Sequence, residues 1–267
     1  MIPLCLVTGF LGSGKTSLLR HLARQYRARR VVFLVNEFSA VDIDGSVLEA
    51  EIPGQVIGLP GGSIFCVCLV SEFIHVLGTL PERFGKAGAE LEGVIIEASG
   101  VANPMVIERM LEETRLDALY RIASVIAVAD PGAFSTLLQT LPNIRAQIEA
   151  SGHVVINKID LYDEDTLRET EEAIRAIHPR AHLLRAAYGQ VALEIFGERE
   201  LRQFDGAYAA CIDPHYVKAS VRVQQPVQLQ SLLEALRNLG AGVYRAKGFV
   251  PTSSGVFYVD VAPAGAQ

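Results

Sequence analysis

The chain has 267 residues, of which 50% are hydrophobic and 20% charged, and its net charge is −6. Such a chain folds around a sizeable core, and its acidic balance disfavours a dedicated nucleic-acid binder, which carries a basic excess. Apolar runs stay short of the ~18 residues of a membrane span, and the apolar start, Met1 to Leu11, lacks a basic leader, so neither a signal peptide nor a membrane partner is expected.

The predicted elements alternate along the chain. Pro3–Thr8 is a short apolar run ending at Gly9. Thr16–Arg29 follows, with Leu18, Leu19, Leu22 and Tyr26 at helical spacing. Further apolar runs are Val31–Asn36, Gly93–Ala98, Ser124–Ala129 and His153–Asn157. Runs rich in β-branched residues and polar only at their ends suit parallel strands buried on both faces. Between them Met105–Leu119, Phe134–Ile148 and Glu164–Ile177 read as helices. Strand–helix alternation predicts an α/β fold with a doubly wound, mainly parallel sheet. Ligands of such sheets bind at the carboxyl ends of the strands.

Near residue 205 the texture changes. Tyr216–Gln224 alternates like a half-exposed strand, Val227–Leu239 is amphipathic, and Val243–Val250 and Gly255–Val261 read as two more strands. A nucleotide-type domain over 1–205 and a small α+β domain over 206–267 are expected. The acidic run around Asp163, Glu164 and Asp165 reads as a solvated helix face.

The segment Gly9-Phe10-Leu11-Gly12-Ser13-Gly14-Lys15-Thr16 matches G-x-x-x-x-G-K-[ST]. Its glycines, with Ser13 and Ser17, let backbone N–H groups converge on phosphate oxygens. Lys15 can reach the β and γ phosphates, Thr16 can ligate Mg²⁺, and the following helix adds its positive end. The context is the required one, between an apolar strand and an amphipathic helix.

Asn157-Lys158-Ile159-Asp160 closes the run from His153. A carboxylate at this strand end can accept from guanine N1–H and N2–H₂, which adenine cannot match. Asn157 can brace the loop and the Lys158 stem can pack on the base, so GTP is expected over ATP. Tyr188, in Ala186-Ala187-Tyr188, is a candidate second base contact. Glu97 ends its run ahead of Ser99-Gly100; there it can hold the Mg²⁺ shell or polarise the attacking water, while Gly100 admits a backbone N–H near the γ-phosphate. Glu37, in Asn36-Glu37-Phe38, opens a loop carrying Asp42 and Asp44 that can sense the γ-phosphate as a switch. Lys15, Glu97 and Glu37 are therefore the candidate catalytic residues of a GTPase.

There are four cysteines, Cys5, Cys66, Cys68 and Cys211. Without a secretory signal they do not form a disulfide scaffold, and a reducing, cytoplasmic setting is the default. Cys66-x-Cys68 reads as metal or redox chemistry, with buried small apolar residues as the bland alternative. Two thiolates leave a zinc site short of its four ligands, for which His75, Glu72, Glu37 or a second subunit are candidates. Cys5 reads as core, and Cys211, near Asp213 and His215, as an unlikely ligand group.

Together GFLGSGKTSLL, VNEFSAVDIDG, IIEASGVANP, NKID and Arg245-Ala246-Lys247-Gly248-Phe249 resemble the CobW-like GTPases, relatives of HypB and UreG. The resemblance implies a P-loop GTPase, slow without a partner, that delivers zinc or cobalt to a client metalloprotein or cofactor-assembly enzyme. It also implies a link to cobalamin biosynthesis and a nucleotide-dependent homodimer. The chain departs from the family's G-C-x-C-C, reading Gly62-Ser63-Ile64-Phe65-Cys66-Val67-Cys68. Either Cys66 alone matches a family cysteine, or Cys66-x-Cys68 matches and Leu69 replaces the third; both lose a trithiolate site. The C-terminal domain is short for the family. Two other readings stand beside the metallochaperone: a GTPase accessory protein for a corrinoid or other metalloenzyme that binds no metal itself, and a P-loop small-molecule kinase, which NKID disfavours.

Overall fold

The structure, a computed structural model, describes residues 1–37, 48–60, 70–85, 90–100, 102–197, 221, 223, 225–238, 246–262 and 265–266. Seven strands build the main sheet: β1 (Ile2–Thr8), β2 (Val31–Glu37), β3 (Val56–Pro60), β4 (Gly93–Glu97), β5 (Tyr120–Ala129), β6 (His153–Ile156) and β7 (His182–Arg185). Their order is β3-β2-β4-β1-β5-β6-β7, and every pairing is parallel. The expected α/β fold is borne out. From β1 the chain first winds toward β2 and later toward β5. The end of β1 is thus a topological switch point, where such sheets open a crevice.

Alternation along each strand sends side chains to two different cores. Leu4, Leu6, Val32, Leu34, Val94 and Ile96 face one side, where they meet Phe73, Leu77 and Leu80 of helix α2 (Val70–Phe84). Cys5, Val7, Val31, Phe33, Val35 and Ile95 face the other, against Leu18, Leu19 and Leu22 of helix α1 (Lys15–Tyr26). Burial on both faces is why these strands read as unbroken apolar runs. Cys5 is core, as expected, and its burial pushes the thiol up to about 12. Tyr120 adds a specific lock. Pro81 lacks the N–H that would reach the Leu77 carbonyl within α2, and the Tyr120 hydroxyl donates to that carbonyl at 2.7 Å.

Three helix expectations need correction. The first helix starts one residue earlier than read and ends at Tyr26, three residues short of Arg29. Met105–Leu119 is not one helix. It holds a 3₁₀ turn (Pro104–Val106), helix α3 (Ile107–Glu113) and a second 3₁₀ turn (Leu116–Ala118), the break falling at Arg115 with φ 58°. Phe134–Ile148 is two helices, α4 (Pro131–Thr140) and α5 (Pro142–Ala150). Pro142 cannot continue the ladder, and Leu141 before it is extended. Helix α6 (Glu164–Ile177) has the expected bounds, with the Asp163 side chain accepting from Thr166 N at its start.

The chain from β7 to 197 returns to the main core through Leu193, Ile195 and Phe196. Farther on, helix α7 (Leu229–Asn238) lays Leu232, Leu233 and Leu236 on Val250, Val259 and Val261. Those valines belong to β8 (Ala246–Thr252) and β9 (Gly255–Ala262), which with β10 (Gly265–Ala266) form an antiparallel sheet. The boundary expected near 205 and nearly all of the strand expected at Tyr216–Gln224 lie outside the described residues. No described helix is long and apolar enough to cross a membrane.

Candidate nucleotide site

The loop after β1 is a tight cradle. Gly9 (φ 132°) and Gly14 (φ 100°) take left-handed backbone that favours glycine. A Cβ on Gly9 would run into the Val128 carbonyl, and one on Gly14 into the Asn157 amide. The loop is therefore wedged between the ends of β5 and β6. Lys15, 3% exposed, donates from Nζ to Gly9 O at 2.9 Å and to Phe10 O at 3.3 Å, so its cation sits inside the loop. Thr16 and Ser17 are half-buried in the first turn of α1, which carries no acidic residue to offset its positive end. The Thr8 and Ser13 hydroxyls are buried with no hydrogen-bond partner among the described residues. Unsatisfied buried hydroxyls beside a glycine cradle and a buried cation fit a polar, anionic ligand.

β4 delivers the second group. Glu97 ends that strand beside Val7 of β1 and is 2% exposed. The chain then presses on the cradle: a Cβ on Gly100 would lie 2.6 Å from Leu11 N. Gln147, buried on α5, donates from one amide nitrogen to Gly100 O at 3.1 Å and Ala102 O at 3.2 Å. Glu37 closes β2 in register with Pro60; the loop that follows, 38–47, lies outside the described residues.

β6 delivers the third group. The Asn157 amide donates to Ser13 O at 3.0 Å, and its oxygen accepts from Gly189 N at 2.9 Å. One side chain thus ties the cradle to the loop after β7. Gly189 also packs so closely that an added Cβ would meet Leu18 N of α1. Lys158 takes a left-handed conformation (φ 59°) and opens a 3₁₀ turn containing Asp160, whose side chain is exposed. Tyr188 is 59% exposed at φ 54°, free to face a planar group.

The residues expected from sequence at 9–17, 97, 100, 157–160 and 188 come from four strand ends that open on one edge of the sheet. Sequence reasoning missed Asp130, Gln147, Tyr162 and Gly189. Asp130 had a local signal, a polar residue at a strand end before Pro131. Gln147 had one too, a polar residue between Ile144 and Ile148 on an apolar helix face. Cys66, Cys68, Cys211, Asp42 and Asp44 lie outside the described residues, whereas Glu72 and His75 are exposed on α2. Among the described residues no group of three or more His, Cys, Asp or Glu is placed to hold a metal ion.

Known proteins resemble this chain in sequence and in fold. A family model described as CobW/HypB/UreG, nucleotide-binding domain, matches residues 3–185. The zinc chaperone CobW of Pseudomonas aeruginosa is 29% identical over 225 residues, covering 73% of this chain and 59% of that protein. The zinc chaperone YjiA of Escherichia coli is 26% identical over 193 residues, covering 72% and 59%. The zinc-regulated GTPase metalloprotein activator 1 of Dictyostelium discoideum is 24% identical over 302 residues, covering 93% and 62%. The chain thus spans 59–62% of the length of these relatives. A Zn(II)-bound triple mutant of the YjiA GTPase superposes with a TM-score of 0.51 at 18% identity, over 100% of this chain and 87% of that one, which is a likeness of fold. The chain belongs to the CobW/HypB/UreG family of nucleotide-binding domains.

Proposed function

We propose that this protein binds and hydrolyses GTP and uses the nucleotide cycle to hand zinc or cobalt to a client metalloprotein. The observation that carries the nucleotide half is Asn157, which joins the phosphate cradle at Ser13 to the loop bearing Tyr188 and Gly189. A triphosphate lies along Gly9–Gly14 with Lys15 on its β and γ groups. Thr16, with Glu97 and Glu37, would hold Mg²⁺, which would neutralise charge that builds on the phosphates. Glu97 orients the attacking water, the Gly100 N–H faces the γ-phosphate, Asp160 reads guanine and Tyr188 covers the base. Such a site does little covalent chemistry; positioning and charge neutralisation carry the reaction.

The metal half rests on Cys66-x-Cys68 and on relatives named as zinc chaperones and as a zinc-regulated GTPase metalloprotein activator. Cys66 and Cys68 follow the switch loop in sequence, so a change at the γ-phosphate can alter the number of ligands they share with Glu37. An open thiolate pair suits transient transfer better than storage. The GTPase domain is taken as 1–205 and the small α+β domain as 206–267. The setting is a reducing cytoplasm, and the active form is a nucleotide-dependent homodimer.

The test is a competition titration of the reduced, metal-free protein with Zn²⁺ and Co²⁺, without nucleotide, with Mg-GDP and with Mg-GTP. Affinity that differs between GDP and GTP and collapses in the Cys66→Ser, Cys68→Ser double variant is expected. Absence of tight binding in every state contradicts the metal half and leaves a GTPase acting through protein contacts alone.

A further inference from the structure

Asp130, at the end of β5, makes more use of its carboxylate than any cap requires. Oδ1 accepts from Gly132 N at 3.2 Å, which starts α4, and from the Tyr162 hydroxyl at 2.7 Å. Oδ2 lies 2.8 Å from Lys158 Nζ. Asp130 and Lys158 are 8% and 9% exposed, so this ion pair is shielded from water. Lys158 and Tyr162 stand two residues before and two residues after Asp160. The exposed Asp160 carboxylate is therefore held on a short turn, Ile159–Leu161, whose two flanks are tied to one buried anion. The corner is also closed sterically, since a Cβ on Gly132 would meet the Tyr162 hydroxyl.

We propose that Asp130 is the positioning residue for nucleobase selection: by gripping Lys158 and Tyr162 it sets where the Asp160 carboxylate meets the guanine edge. The inference rests on the reading of Asp160 as the guanine contact. Asp130 acts through Lys158 and Tyr162, the side chains it holds. Two N–H groups of guanine must meet two carboxylate oxygens, so a shift of the turn costs selection while leaving the phosphate cradle intact. Direct hydrogen bonds to a charged group are worth enough that misplacing Asp160 reads as a change of about tenfold or more in affinity.

The experiment displaces mant-GDP from the full chain with unlabelled GDP and with ADP, in the native protein and in Asp160→Ala, Asp130→Asn and Tyr162→Phe. ADP reports the phosphate cradle and the GDP-to-ADP ratio reports base selection. The expected result is a native preference for GDP that collapses in Asp160→Ala. Asp130→Asn then weakens GDP by about tenfold with ADP unchanged. Tyr162→Phe loses one of the two flank contacts and gives a smaller fall in the ratio; it carries the test if Asp130→Asn does not fold. The proposal is overturned if GDP and ADP weaken together, or if the ratio falls in Asp160→Ala but stays native in the Tyr162 and Asp130 variants. A native ratio in Asp160→Ala removes the guanine reading itself, and the role of Asp130 with it.

Discussion

The side-chain amide of Asn157 reaches across the sheet to the Ser13 carbonyl, 3.0 Å away and 144 residues earlier in the chain. Its other end accepts from Gly189 N at 2.9 Å, so one side chain links the phosphate cradle to the base side. Replacing Asn157 with Ala strands a buried carbonyl and a buried N–H. The expected cost is about 1–3 kcal/mol in urea unfolding, with guanine-nucleotide affinity falling alongside it.

Gly14 separates steric from conformational effects. Ala at Gly14 places a methyl on the Asn157 amide in addition to the left-handed strain at φ 100°. Gly54 has a comparable backbone (φ 76°) but nothing within 4 Å of an added Cβ. Gly54→Ala should cost about 1–2 kcal/mol, the price of a left-handed L-residue. Gly14→Ala should cost more and should weaken nucleotide binding, which Gly54→Ala leaves alone. Denaturation curves with a parallel mant-GDP titration check both.

Gln147 holds the segment after Glu97 from behind. Gln147→Leu keeps the volume but withdraws the donor from the Gly100 and Ala102 carbonyls. Loss of about 1–3 kcal/mol in stability is expected. GTP turnover should fall more than GDP affinity does, because the segment faces the γ-phosphate in the proposed reaction. Phosphate release measured beside GDP binding gives that split.

At the opposite edge of the sheet, His153 and His182 are register partners on β6 and β7, their rings stacked 5.3 Å apart. Burial, and then the neighbouring imidazole, hold His153 below its ordinary 6.5. The folded state therefore binds fewer protons than the unfolded one just below that value, and stability rises with pH there. The contribution is fully present above pH ~6.5 and is lost on acidification. Urea unfolding at pH 7.5 and 5.5 should show a smaller difference in His153→Gln than in the native chain.

Much of the fold was legible because its strands are buried on both faces. Val31–Val35 and Val94–Ile96 appear as apolar runs for that physical reason. β3 was missed because Gly58 and Pro60 dilute its pattern, and the α4–α5 break was missed although Pro142 marks it. In the site, the cradle and the Asn157–Asp160 turn are local motifs and could be read directly. Asp130 and Gln147 stand out locally as polar residues, but their roles could not be read. Their meaning lies in partners 28 and 47 residues away, which no periodicity announces.

Nucleotide binding itself separates the roles given to Lys15 and Asp160. Calorimetric titration of the native chain with Mg-GDP and Mg-ADP, repeated for Lys15→Ala and Asp160→Ala, separates cradle from base. The expected result is a preference for GDP, loss of both nucleotides in Lys15→Ala, and loss of the preference alone in Asp160→Ala. GDP binding that survives Lys15→Ala unchanged would contradict it.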